Sequence, residues 1–353
     1  MKIVKLNQRN FNNTLKLAKK ALENDGLIVA PFDTTYGLCA NSLSSAAVKK
    51  IYEFKGKSFG KAISITLKNL KEIEKYTFVS KEQKAILKTL LPGPFTVILK
   101  SKHKTAPEIE AEDKTIGIRI INYPFINKLL DNLDYPITST SAGKGPHYSV
   151  SSFLKTLSQK KKAMISLIIN AGKLPKRPTS TVIRLVKDEL KVLREGVLNP
   201  KLIERFISKS ENNTKIISQK IYKKYLKKHL KNNSAFVILQ GNLGCGKTVF
   251  AKGIGKLFKK ELVSPTFVLM DEYKIGKPPI KTIYHLDLYR IETEEELKDL
   301  KLKKFFHKGN LFLAEWGEKL SVLEQLKKEN VVFFWVRIKE TGENERKIII
   351  YEL

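Results

Sequence analysis

Apolar residues along this chain fall into two patterns, short continuous runs and helically spaced sets. Runs at 27–30, 62–67, 96–99, 117–120, 137–140, 167–170 and 181–185 have the length of buried strands. Between them, residues 15–23, 46–54 and 81–90 space their apolar side chains at the helical period. That alternation predicts an α/β domain built on a mostly buried, mixed sheet. At 208–214 the sequence Ser-Lys-Ser-Glu-Asn-Asn-Thr drops its apolar residues, which predicts a linker at 209–214 between domains 1–208 and 215–353. Beyond it the pattern reads helix (216–230), strand (235–240), then a helix with Phe250, Ile254, Leu257 and Phe258 on one face. Strands follow at 283–286, 311–314, 331–338 and 347–351, the last two joined by the polar turn 340–345 as a hairpin. No internal repeat or low-complexity tract interrupts this order, and the lysine cluster 160–162 reads as a solvated loop.

Composition sharpens the picture. A chain of 353 residues with 42% hydrophobic content can bury two modest cores. Sixty-six Lys and Arg against 35 Asp and Glu give a formal charge of +31, enough to draw polyanions such as RNA. The excess is mostly lysine spread over both halves, so a compositionally biased genome accounts for it equally well. Two cysteines, Cys39 and Cys245, cannot form a disulfide framework and point to a reduced, cytoplasmic protein. The start of the chain lacks the pattern of a signal peptide, and no apolar stretch is long enough to cross a bilayer, so no membrane partner is expected.

The sharpest chemical signal is Gly241-Asn-Leu-Gly-Cys-Gly-Lys247-Thr248, which fits G-x-x-x-x-G-K-[ST] between a strand and a helix. Gly241, Gly244 and Gly246 let the backbone, with Cys245, curl its N–H groups around phosphates at the positive end of the following helix. Lys247 reaches the outer phosphates, and Thr248 can hold Mg2+. The competing reading is a glycine-rich turn of coincidental sequence. A phosphate loop also calls for an acidic residue at a neighbouring strand end, and Asp287 and Glu315 each follow an apolar run. Carboxylates kept there for solubility are the alternative. No N-K-x-D tetrapeptide reads guanine in this half, which favours ATP over GTP.

The first half offers cations and hydroxyls but no nucleophile–base pair. His103 and His147 lie in polar loops and are expected at the surface. Lys55, Lys57, Lys61, Arg119 and Arg194 recur beside turns, a set able to neutralise a triphosphate and an amino-acid carboxylate. A lysine-rich surface without a site is the other reading.

Longer blocks carry two family resemblances. The phosphate loop, Ser264-Pro-Thr-Phe267 with Tyr273, His285-Leu-Asp-Leu-Tyr-Arg290 and Glu315-Trp316 together resemble TsaE, the small ATPase that assists threonylcarbamoyl transfer to tRNA. The resemblance implies that Thr248 and Glu315 share the Mg2+, that Asp287 supports hydrolysis, and that Thr266 lies in a nucleotide-sensing loop beside Trp316. In the first half, Pro31-Phe-Asp-Thr-Thr-Tyr-Gly-Leu38, Ile51-Tyr-Glu-Phe-Lys-Gly-Lys57, Pro92-Gly-Pro-Phe-Thr96, Gly117-Ile-Arg-Ile120, Ser139-Thr-Ser-Ala142, Ser180-Thr-Val182 and Leu193-Arg-Glu-Gly196 resemble the YrdC (TsaC) family of threonylcarbamoyl-AMP synthases.

That second resemblance implies a twisted, mixed α/β domain with a basic cleft, ahead of the P-loop NTPase-like α/β domain that the first resemblance implies. In the cleft L-threonine, bicarbonate (or CO2) and ATP would combine to an adenylate with release of pyrophosphate. It implies that Thr35, Thr66, Arg119, Ser139 and Ser180 hold threonine, and that Lys55, Lys57, Lys61, Ser141, Ser149 and Arg194 hold ATP. Lys55 and Lys57 are then the catalytic candidates of the first domain, Asp287 and Glu315 those of the second. Two positions depart from the family pattern: Lys55-Gly-Lys57 replaces Lys-x-Arg, and Ser141-Ala-Gly143 replaces Ser-x-Asn. Lysine lacks the planar fork that grips phosphate bidentately, and glycine lacks the side-chain amide.

Together the resemblances imply a bifunctional protein for the threonylcarbamoyl modification (t6A) at adenosine 37 of tRNAs that read codons beginning with A. The transferase TsaD and its companion TsaB would be its partners. A non-catalytic tRNA-binding or assembly protein is the rival reading. A carbamoyl transferase of hydrogenase maturation would need cysteine-rich zinc-finger segments, against which two isolated cysteines argue.

Overall fold

A computed structural model of the chain describes residues 1–56, 63–143, 145–186, 189–265, 269–288, 300–315 and 330–353. Its backbone divides into two compact units, Met1–Leu198 and Asn199–Leu353. No helix among the described residues is long and apolar enough to cross a membrane.

The first unit is built on β1 (Lys2–Lys5), β2 (Leu27–Pro31), β3 (Tyr36–Cys39), β4 (Ser64–Thr66), β5 (Thr77–Phe78), β6 (Phe95–Ser101), β7 (Thr115–Arg119), β8 (Ile137–Ser141), β9 (Ile165–Asn170), β10 (Thr181–Val186) and β11 (Glu189–Arg194). They run in the order β1-β9-β2-β3-β8-β4-β7-β6-β10-β11, with β5 paired to β6. The sheet is mixed: β2 and β1 lie parallel to β9, β4 to β7 and β6 to β10, while β2–β3, β3–β8, β4–β8 and β6–β7 are antiparallel. Every residue of β2 is buried, which is why its apolar run shows no alternation.

The helix Phe11–Glu23 buries Leu15, Ala18 and Leu22 at helical spacing against Phe125, Ile126 and Leu129 of the helix Pro124–Asp131. The helix Ser45–Lys55 starts where the Ser44 side chain accepts from the Ala47 N–H, and stops at Gly56, whose φ of 59° suits a residue without a Cβ. That stop fixes Lys55 in the last helical turn. The lysines 160–162, expected in a loop, instead sit in the short helix Gln159–Met164, which Ser158 caps by accepting from the Lys161 N–H.

The second unit holds β12 (Lys201–Ser208), β13 (Ser234–Gln240), β14 (Met270–Lys277), β15 (Ile280–Asp287), β16 (Asn310–Glu315), β17 (Val331–Glu340) and β18 (Arg346–Glu352). Their order is β12-β18-β17-β13-β16-β15-β14. The strands β13, β16, β15 and β17 form a parallel centre, and β17–β18 is the expected hairpin. One sheet face carries Val237, Leu239, Ile283, Leu311 and Leu313 in a core with Ile217, Ile221, Phe250 and Ile254 of the helices Glu211–Ile221 and Lys247–Lys256. The other face is aromatic, with Phe312 stacked between Phe236 at 5.5 Å and Tyr284 at 4.8 Å.

The domain boundary differs from the sequence expectation. Residues 201–208 pair antiparallel along β18 and so belong to the second unit, which moves the boundary from 208 to 198. The expected linker 209–214 is a helix start: Ser210 accepts from the Asn213 N–H, the helix begins at Glu211, and the Ser208 and Thr214 hydroxyls lie 2.7 Å apart and buried. The polar run that resembles a linker is capping chemistry.

Candidate active sites

In the first unit a cavity of about 410 Å³ opens on strand ends and loops, and it gathers Thr35, Arg119, Ser139, Ser141, Ser180 and Arg194. Arg119 is the last residue of β7 and is buried; its Nη2 donates to Asp33 Oδ1 at 2.6 Å. Among the described residues Asp33 Oδ2 and Arg119 Nε have no hydrogen-bond partner. Asp33 escaped the sequence reading; the one signal was an acidic residue inside an otherwise uncharged block. Arg194 ends β11, and its Nη2 donates to the Ser180 carbonyl at 2.8 Å and to Ser180 Oγ at 3.2 Å. Ser180 Oγ lies 3.0 Å from Thr96 Oγ1. Burial, and then the nearby Arg119, hold the Arg194 guanidinium below its ordinary pKa. Two arginines so close in one cavity set up a field that favours anions.

Small residues keep the cavity open. A Cβ at Gly117 would stand 3.0 Å from Ser64 Cβ and 3.1 Å from Thr96 Cγ2, and one at Gly196 only 2.2 Å from the Thr179 carbonyl oxygen. The Ser64 hydroxyl donates to the Ser139 carbonyl at 2.5 Å and lies 3.1 Å from Ser139 Oγ, tying β4 to β8 on the cavity wall.

Lys55 Nζ donates to Ser141 O at 2.6 Å, Ser141 Oγ at 3.1 Å and Gly143 O at 3.0 Å, which brings it to the cavity edge without making it a lining residue. Thr66, opposite Arg119 in the β4–β7 register, is fully buried, its hydroxyl without a partner among the described residues, and does not line the cavity. Ser149 caps the helix Val150–Lys155 by accepting from the Ser152 N–H, and it too is away from the lining. Lys57 and Lys61 lie outside the described residues.

The histidines differ in placement. His103 is exposed, its Nδ1 2.8 Å from Glu110 Oε2, as its polar loop predicts. His147, expected at the surface, is half-buried: its ring packs edge-on against Phe153 at 5.5 Å, and burial together with Lys55 pushes its pKa down. A Cβ at Gly143 would stand 2.2 Å from its Nε2.

In the second unit the phosphate loop joins β13 to the helix Lys247–Lys256. Gly244 (φ 81°) and Gly246 (φ 102°) take the left-handed backbone that turns the loop. A Cβ at Gly241 would collide at 2.3 Å with both Cys245 Sγ and the Ile338 carbonyl. Burial pushes the Cys245 thiol up to about 11, so it packs as a neutral group. Lys247 Nζ curls over the loop to the carbonyls of Gly241 and Asn242 at 2.8 and 2.9 Å. Arg346, unremarked in the sequence because it sits at the start of a strand far along the chain, braces the loop by donating from Nε to the Cys245 carbonyl at 3.0 Å.

Parallel pairing of β15 with β16 sets Asp287 opposite Glu315. Thr248 Oγ1 donates to Glu315 Oε2 at 2.9 Å, and Ser264 Oγ donates to Asp287 Oδ2 at 3.1 Å. A hydroxyl and a carboxylate are hard oxygen donors, the chemistry that suits Mg2+. Thr266 and Trp316 lie outside the described residues.

Comparisons with known proteins follow the two units. A family model covering Sua5, YciO and YrdC, described as telomere recombination, matches residues 20–196. A second, described as threonylcarbamoyl adenosine biosynthesis protein TsaE, matches residues 208–348. A Methanocaldococcus jannaschii protein provisionally named threonylcarbamoyl-AMP synthase is 37% identical over 201 residues, 56% of this chain and 93% of that protein. The tRNA threonylcarbamoyladenosine biosynthesis protein TsaE of Bacillus subtilis is 40% identical over 112 residues, 31% of this chain and 65% of its own length. The crystal structure of P. abyssi Sua5 complexed with L-threonine shares the fold at a TM-score of 0.52 and 20% identity, over 94% of this chain and 99% of that one.

Proposed function

The chain belongs to the Sua5–YciO–YrdC family through residues 20–196 and matches the TsaE family over residues 208–348, and on that premise we propose a bifunctional enzyme of t6A biosynthesis. Its first unit makes threonylcarbamoyl-AMP from L-threonine, bicarbonate and ATP and releases pyrophosphate. Its second unit hydrolyses ATP in support of the transferase that modifies tRNA, with TsaD and TsaB as partners.

The observation that carries the first activity is the single cavity shared by Arg119, Arg194 and a ring of hydroxyls. Threonine is an anion at its carboxylate, and ATP is an anion at its phosphates. Arg119, buried and braced by Asp33, takes the carboxylate, while Thr35, Ser139 and Ser180 are placed to read the rest of the amino acid. Arg194, Lys55 and Ser141 hold the phosphates. The threonine amine adds CO2 to give a carbamate, whose oxygen attacks the α-phosphorus. The bond to the bridging oxygen then breaks, and pyrophosphate leaves with the electron pair. No side chain forms a covalent bond; positioning and fixed positive charge lower the barrier.

In the second unit the loop N–H groups and Lys247 cradle the phosphates. Thr248 and Glu315 are the residues that would hold Mg2+, which when bound neutralises charge developing on the phosphate oxygens. Asp287, fixed by Ser264, stands across from Glu315 to support the attacking water.

The test is full-length protein with radiolabelled bicarbonate, threonine and ATP, scored for the adenylate and for pyrophosphate. Pyrophosphate that appears only when threonine and bicarbonate are both present supports the synthase. Release without threonine, or tRNA binding with no adenylate, sinks it and leaves the RNA-binding reading.

A further inference from the structure

His285 is fully buried on β15, next to the edge strand of the second sheet, on the face it shares with Ile283 and, across the β15–β16 register, beside Leu313. A polar ring among aliphatic side chains costs stability unless it is paired, and one of its nitrogens, Nδ1, has no hydrogen-bond partner among the described residues. Its other nitrogen, Nε2, lies 2.8 Å from Glu315 Oε1. A carboxylate oxygen only accepts, so Nε2 carries the proton and donates. Glu315 is thereby held at both oxygens: Oε1 by His285 and Oε2 by Thr248 at 2.9 Å. The carboxylate is itself buried.

We propose that His285 is a positioning residue for the Mg2+ site, fixing the Glu315 carboxylate so that its Thr248-facing oxygen is presented to the metal side of the phosphate loop. The strand supplies the geometry. His285 and Asp287 are two residues apart on β15 and so project from the same face, His285 behind Glu315 and Asp287 beside it. Partners of this kind, which touch a ligand residue and not the metal, fix ligand orientation and typically contribute tenfold or more to metal affinity. The inference rests on reading this unit as an ATPase.

Both tryptophans of the chain, Trp316 and Trp335, fall in its second half, so a nucleotide-dependent change in tryptophan fluorescence reads this unit alone. Full-length protein is titrated with the non-hydrolysable β,γ-imido analogue of ATP, once in EDTA and once across a range of Mg2+, with calorimetry as a parallel measurement. Leucine at this position keeps the volume but has no donor. His285→Leu is expected to raise the half-saturating Mg2+ concentration about tenfold or more while metal-free nucleotide affinity stays within about twofold. Glutamine places an amide nitrogen near the Nε2 position and asparagine near the Nδ1 position. His285→Gln is therefore expected to recover the wild-type Mg2+ midpoint to within about threefold, and His285→Asn is not. The Gln–Asn contrast decides the matter even if the leucine variant folds poorly. Equal Mg2+ midpoints in wild type, His285→Leu and His285→Asn overturn the proposal, as does an equal loss of binding with and without metal, the mark of a purely structural histidine. A wild-type protein whose tryptophan fluorescence does not respond to the nucleotide, with or without Mg2+, overturns the ATPase reading itself, since calorimetry also registers nucleotide in the first unit.

Discussion

Gly143 and His147 compete for one volume: a Cβ built at Gly143 would stand 2.2 Å from His147 Nε2 and 2.7 Å from its Cδ2. The backbone at Gly143 is not left-handed, so the glycine is required by the imidazole and not by its own φ. An asparagine at this position, the residue the YrdC resemblance leads one to expect, would meet the ring of a residue four positions along the loop. That ring belongs to a knot in which Lys55 Nζ donates to the Gly143 carbonyl at 3.0 Å.

Reintroducing the asparagine should therefore harm the enzyme unless the ring is removed as well. Gly143→Asn alone should lower the melting temperature and slow adenylate formation, since overpacking a filled site costs about 1–3 kcal/mol. His147→Ala together with Gly143→Asn should recover most of the loss, with a coupling energy of about 1–3 kcal/mol in the double-mutant cycle. Additive effects on stability and on rate would show that the two residues do not share the space.

Arg119 and Asp33 form the buried pair of the cavity, with side-chain exposures of 9% and 8%. Arg119→Ala removes a charge-assisted contact worth about 2–3 kcal/mol and should slow pyrophosphate release about a hundredfold, chiefly at limiting threonine. It also strands the Asp33 carboxylate without its cation. Asp33→Asn in the Arg119→Ala background should thus recover thermal stability but not turnover. Recovered turnover would mean that Arg119 serves only to neutralise Asp33 and does not bind substrate.

The contrast between these pairs marks what a sequence reveals. Central strands such as β2 and β13 were legible because they are uninterrupted apolar runs, whereas β1, β11, β12 and β14, with exposed positions alternating or scattered along them, were not. The phosphate loop was legible because its geometry depends on eight consecutive residues. Pairings across the fold were not: Asp33 and Arg119 are 86 residues apart, and His285 and Glu315 are 30 apart. His285 stood inside a recognised block, yet nothing local indicates which carboxylate it faces. Thr66 was implied as a threonine-binding residue by the resemblance, yet its side chain is fully buried away from the cavity lining. The domain boundary was misplaced because Ser210 and its polar neighbours cap a helix with the residue types that also build linkers.

His147 also gives the fold a pH dependence of known sign. Burial first, and the Lys55 charge second, hold its pKa below the ordinary 6.5. In the unfolded chain the imidazole takes up its proton near that ordinary value, so on acidification the unfolded state binds more protons than the folded one. Stability contributed by the neutral ring is present above pH 6.5 and is lost as pH falls through that value toward the depressed folded pKa. His229, depressed chiefly by burial, acts with the same sign. Melting temperatures of wild type and His147→Gln measured from pH 8 to pH 5 should converge or cross as the pH drops, because the variant lacks this liability. Parallel curves would assign the acid sensitivity elsewhere.

The phosphate loop separates binding from turnover in a way two substitutions can read. Lys247 Nζ lies on the loop carbonyls of Gly241 and Asn242, poised where outer phosphates would meet it in ground state and transition state alike. Lys247→Ala should therefore weaken nucleotide binding itself, seen by calorimetry and tryptophan fluorescence. Glu315 instead meets Thr248 and His285, on the metal side. Glu315→Gln keeps the shape and one acceptor, so metal-free nucleotide binding should stay nearly intact while hydrolysis falls about a hundredfold or more. The cavity of the first unit is lined by residues of that unit alone, so neither change should alter its threonine-dependent pyrophosphate release. All three quantities are measured on the same full-length variants. If Lys247→Ala abolishes adenylate synthesis while the fold stays intact, the two sites are not chemically independent, and a coupled nucleotide site must replace the two-site mechanism.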